Sequence, residues 1–73
     1  MNQNKSNKLR GVIAKYATME GADSKTKQAE RVLISRHCYT YRIKNPGAFT
    51  LDELEKVQRA FKIPWEEISK ALA

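Results

Sequence analysis

The 73-residue chain has one cysteine, one histidine, two prolines and three glycines, and these shortages exclude several kinds of protein. Cys38 has no partner for an internal disulfide. Cys38 and His37 together fall short of the four ligands zinc takes, and adjacent helix positions point about 100° apart, so no metal or other cofactor is expected. A Cys-His nucleophile lacks any group to orient its base. No apolar run approaches the ~18 residues of a membrane span and no signal peptide is evident, which reads as a cytoplasmic protein without membrane attachment. The carboxylates Asp52, Glu53, Glu66 and Glu67 fall in first turns of predicted helices, where they complement the helix dipole, so no catalytic pair is assigned. An enzyme and a small-molecule ligand are not expected.

What the chain does have is 41% hydrophobic residues at helical spacings, enough for one folded domain. A chain of this size buries only about 60% of its unfolded surface, so modest stability or help from a partner is expected. Lysine and arginine outnumber aspartate and glutamate by 14 to 8, and the excess is uneven. Residues 1–49 carry ten basic and three acidic side chains, residues 50–73 four and five. The first stretch attracts polyanions; the second does not.

Residues 1–8, MNQNKSNK, contain no apolar side chain after Met1 and are expected to form a flexible basic arm, either lying along a DNA groove or simply solvated. Residues 9–73 are the expected domain. Leu9, Val12, Ile13 and Tyr16 recur at helical spacing, predicting a first helix from Lys8 to about Glu20, ended by Gly21. Ser24 is an N-cap for a second helix with Ala29 and Val32 inward, and Ser35 an N-cap for a third with Tyr39 and Ile43 inward. Cys38 is expected as a small, partly buried packing residue.

The outward face of the third helix is then Arg36, His37, Thr40, Tyr41 and Lys44. A helix shaped only by solubility more often mixes acid with base, whereas this one has cations and hydroxyls and no acid. Such a face suits base edges and the phosphates beside them. At the start of the second helix, Lys25, Thr26 and Lys27 read either as a phosphate clamp at a helix N-terminus or as an ordinary capped start.

Asn45-Pro46-Gly47 stops the third helix. Thr50 with Glu53 is a capping box for a fourth, whose stripe Leu51, Leu54, Val57, Gln58 and Phe61 is expected to close the core. Pro64 opens a fifth, with Trp65, Ile68 and Leu72 along one face, either capping the core or meeting a second subunit.

The order of these pieces resembles the helix-turn-helix of the phage repressor and Cro type, also called lambda-repressor-like or Xre-like. The likeness runs from about Leu9 to Leu72 through Ala29, Ile34-Ser35-Arg36, Asn45-Pro46 and Phe49-Thr50-Leu51-Asp52-Glu53-Leu54. Two positions depart from it: Gln28 stands where the family often has Leu, and Leu33 where it often has Gly at the turn. A positive φ at the turn would place Leu33 there at some cost.

The resemblance implies an all-α, five-helix lambda-repressor-like domain with its helix-turn-helix at helices 2 and 3. It implies sequence-specific binding of double-stranded DNA at an inverted-repeat operator, and transcriptional regulation by a Cro-like repressor acting through operator occupancy. Arg36, His37, Thr40 and Tyr41 would then contact bases, and Lys25, Thr26, Lys27, Lys44 and Asn45 phosphates. A homodimer, weak without DNA, would join through Trp65, Ile68 and Leu72. The rival expectations are a protein-interaction module of antitoxin or anti-repressor type, and nonspecific nucleic-acid binding.

Overall fold

The fold starts from one long helix with a polar beginning. The computed structural model describes residues 2 to 73, and the first helix, α1, spans Gln3–Met19. It begins well before the expected Lys8. Asn2 is the N-cap, its side chain accepting from the Lys5 N-H at 2.9 Å. Residues 3 to 8 of the expected arm are therefore helical, while Met1 lies outside the described residues. Nothing between Gln3 and Lys8 breaks a helix, and the cap satisfies one of the free N-H groups that a helix start must place. Leu9, Ile13 and Ala17 form the buried line of α1, with Val12 and Tyr16 half-buried beside it. Gly21 ends it at φ 82°, a left-handed conformation open to glycine, and the Ala22 N-H reaches back to the Ala17 carbonyl at 2.8 Å.

The second helix, α2, spans Lys25–Val32, and the third, α3, spans Arg36–Lys44. Ser24 and Ser35 cap them, accepting from the N-H groups of Lys27 and Cys38. A serine cap of this kind is worth about 1 kcal/mol over alanine. The turn between them bends through Leu33 at φ 65°, ψ 40°, with the side chain 81% exposed. The left-handed conformation costs a non-glycine residue roughly 1 to 2 kcal/mol, and this leucine recovers little of that by burial.

A single 3-10 turn, Pro46–Ala48, leads to α4, Leu51–Phe61, and then α5, Trp65–Leu72. The capping box at α4 is complete, Thr50 Oγ1 accepting from the Glu53 N-H and Glu53 Oε1 from the Thr50 N-H. Lys62 ends α4 in a second left-handed turn at φ 55°. The architecture is all-α, five helices among the described residues. α1 packs mainly on α5 and also on α4, while α2 packs on α3 and α4. Tyr39, Phe61, Leu9, Ile13, Ile63, Val32 and Val57 are the largest fully buried side chains. Complete burial of such aliphatic or phenyl groups is worth roughly 1.5 to 3 kcal/mol each.

Two packing expectations are corrected. Leu51, expected within the α4 core stripe, is 87% exposed: it is the first residue of the helix, and burial begins one turn later at Leu54. Cys38, expected as partly buried, is exposed, since Tyr39 and Ile43 occupy the inward line of α3. Gln58 of the same stripe is half-buried, its Nε2 donating to the Ile63 carbonyl at 2.9 Å. Among the described residues no helix is long and apolar enough to cross a membrane.

Candidate functional site

α3 is a short helix gripped by three other elements. On its inner side Tyr39 is wholly buried, and its hydroxyl donates to Gln28 Oε1 at 2.8 Å. Gln28 Nε2 in turn donates to the Ala22 carbonyl at 3.1 Å. Gln28, the one buried polar side chain among the described residues, is thus paired at both ends of its amide. Burial pushes the Tyr39 phenol well above the usual tyrosine range, so it acts as a neutral donor.

At the far end of α3, the Arg10 guanidinium on α1 fills the role of a C-cap. Its Nε donates to the Ile43 carbonyl at 2.9 Å, Nη2 to the Lys44 carbonyl at 3.1 Å, and Nη1 to Asn7 Oδ1 at 3.0 Å. A cation there also meets the negative end of the helix dipole. Asn45 Nδ2 donates to the Tyr41 carbonyl at 3.2 Å. On the third side, Arg42 Nε donates to Glu53 Oε1 at 3.0 Å, tying α3 to the start of α4. The Thr50 N-H and then Arg42 hold the Glu53 carboxyl below the usual carboxylate range.

The outer face is free by contrast. Arg36, His37 and Tyr41 are exposed and Thr40 is half-buried. Among the described residues their side chains make no hydrogen bond to the protein. Arg36, His37 and Thr40 line one shallow concavity, and Tyr41 stands beside Arg42, whose guanidinium lies 5.6 Å from the ring centre. The face carries donors, an acceptor and a phenol; no carboxylate stands on it.

The residues expected to take phosphates are mostly exposed. Lys25, Thr26 and Lys27 are exposed at the α2 start, but Lys27 Nζ is 3.1 Å from Asp23 Oδ1. That contact holds the Asp23 carboxyl below its ordinary range. An exposed pair of this kind is weak and exchanges readily for another anion. Lys44 is exposed, while the Asn45 amide is spent on the end of α3.

Sequence reasoning missed Gln3, Ser6 and Arg10. They share with Lys44 and Asn45 a polar concavity of about 380 Å³. The signal was the i, i+3, i+7 spacing of these three polar residues, visible only once the helix is extended to Gln3. Of the α5 residues, Ile68 is buried in the core, Leu72 is packed against it, and Trp65 is 49% exposed. Among the described residues no group of three His, Cys, Asp or Glu is placed to hold a metal. No protein-family model matches the chain, and no curated protein or solved structure matches it significantly.

Proposed function

We propose that the chain binds double-stranded DNA sequence-specifically and regulates transcription by occupying an operator, with α2 and α3 as a helix-turn-helix of the lambda-repressor, Cro-like kind. One observation carries this reading: α3 turns an acid-free face of Arg36, His37, Thr40 and Tyr41 to solvent while its other sides are held by Gln28, Arg10 and Glu53. A helix whose outward groups are unspent and whose position is fixed loses little entropy on meeting a groove.

In this reading Arg36 bonds O6 and N7 of a guanine, and His37, Thr40 and Tyr41 meet neighbouring base edges. Lys25, Thr26, Lys27 and Lys44 take phosphates, Asn45 orders the end of α3, and the concavity bearing Gln3 and Ser6 extends the phosphate track. Two copies on a two-fold site place their recognition helices about 34 Å apart. Trp65, with Leu72 at the edge of the core, is the apolar surface left for that second copy. No catalytic step is assigned, and the site of action is cytoplasmic DNA.

Selection of bound duplexes from a random pool tests this directly. The expected result is an inverted repeat bound about a thousandfold more tightly than unselected DNA. Arg36→Ala should relax one base position, with roughly 1 to 3 kcal/mol of discrimination lost there. No enrichment, with affinity that only falls steeply with salt, leaves a nonspecific binder. A protein-interaction module is favoured by the half-exposed Trp65; it requires Trp65→Ala to remove function in vivo with DNA affinity untouched.

A further inference from the structure

We infer that the groove between α1 and α5 is a docking site for an acidic segment of another protein that also bears apolar side chains. The groove encloses about 470 Å³, and its wall includes Gly11, Val12, Tyr16 and Ala71 with Lys8, Lys15 and Lys70 around them.

Gly11 is the first observation. It lies inside a 17-residue helix, where glycine is less stable than alanine. A Cβ there would meet nothing within 4 Å. No contact within the chain calls for glycine, so the open backbone is available for close approach by another body.

Charge is the second. Lys8 and Lys15 form no ion pair among the described residues, and Lys70 shares only a 3.8 Å contact with Glu67. Three cations therefore surround a floor made of half-buried Val12 and Tyr16 and buried Ala71. The Lys15 ammonium is 5.5 Å from the Tyr16 ring centre, an amphipathic wall rather than a bare cationic one. Glu67 on the rim and the apolar floor favour a peptide, with side chains to bury, over a uniformly charged nucleic acid.

Position is the third. The buried line Leu9, Ile13 and Ala17 runs between the two sides of α1. Gln3, Ser6 and Arg10 lie on the side toward α3; Lys8, Gly11 and Lys15 lie on the other. The groove is thus separate from the face assigned to DNA, so both can be occupied at once.

The test follows amide resonances of the 15N-labelled chain as it is titrated with an amphipathic peptide of about 20 Glu, Leu and Ala residues, its Lys-for-Glu counterpart serving as control. Shifts centred on Gly11, Val12, Tyr16 and Ala71, absent with the control, are expected. Gly11→Leu should weaken peptide binding by about tenfold or more while thermal stability holds or rises, and Lys8→Glu with Lys15→Glu should weaken it similarly. The proposal is overturned by shifts spread equally over α3, by Gly11→Leu binding as well as the parent, by a DNA duplex moving the same groove resonances more strongly, or by the groove shifting on concentration of the chain alone.

Discussion

α3 and α4 are neighbours of nine and eleven residues, yet they are stabilised in opposite ways. α4 is nearly self-sufficient: it closes its own capping box, places Asp52 and Glu53 in the first turn, pairs Glu55 with Arg59 one turn on, and buries Leu54, Val57 and Phe61. α3 has an N-cap in Ser35, but only Tyr39 and Ile43 are buried, and the rest of its support comes from Gln28, Arg10 and Glu53 on three other elements. A helix that uses outward side chains for its own stability has fewer left for a ligand. The difference leaves the outward side chains of α3 unspent, which is the feature the proposed DNA reading rests on.

Removing the supports of α3 one at a time tests that contrast. Tyr39→Phe should have the largest effect, because it leaves Gln28 Oε1 buried without a donor. The expected loss is about 1 to 3 kcal/mol, a fall in Tm of roughly 5 to 15 °C by thermal unfolding. Adding Gln28→Leu should restore part of it, the shortfall reporting the bond to the Ala22 carbonyl. Arg10→Ala should come next, about 1 to 2 kcal/mol, because the carbonyls of Ile43 and Lys44 lose their charged donor. Its signature is local: faster amide exchange at the C-terminal turn of α3, with α4 unchanged. Equal loosening of both helices would erase the distinction between them.

The sequence was most informative where structure is local. Ser24, Ser35 and the Thr50 and Glu53 box act within a turn of their own helices, and Ala29, Val32, Tyr39 and Ile43 are inward by spacing alone. Polar helix is harder to read: Gln3 to Lys8 has no apolar period, so the start of α1 at Gln3 was invisible to a hydrophobic pattern. Long-range polar contacts are harder still. Arg10 meets a carbonyl 33 positions away and Tyr39 meets Gln28 eleven away, and neither bond leaves a local spacing. The outward face of α3 was legible because it rests on helix phase; the grip that steadies it was not.

The turn between α2 and α3 allows the opposite kind of change. Leu33→Gly removes a left-handed penalty of about 1 to 2 kcal/mol, offset by roughly 0.5 to 1 kcal/mol of extra backbone entropy in the unfolded chain. A net gain of about 0.5 to 1 kcal/mol is expected, because the leucine is 81% exposed and gives up little burial. Lys62→Gly, at the matching end of α4 with φ 55°, should gain about as much. If Leu33→Gly instead lowers Tm while Lys62→Gly raises it, the turn before α3 depends on the leucine in a way the turn after α4 does not.

The smallest effect should come from the link between the two helices. Glu53 takes bonds from both the Thr50 N-H and Arg42, which lower its pKa in the folded chain. A carboxylate with a depressed folded pKa adds stability above its unfolded pKa and loses it as pH falls through the lower folded value. At neutral pH Glu53→Gln should therefore lower Tm by roughly 2 to 4 °C, a modest figure because the pair is partly open to solvent and screened. The gap between parent and variant should stay constant from neutral pH down to the ordinary carboxylate range, then close as the solution becomes more acidic. Melting curves across that range decide it. A gap that persists in acid would show that Glu53 supports α3 by shape and neutral hydrogen bonding, leaving charge out of the coupling between the self-supported helix and the one held from outside.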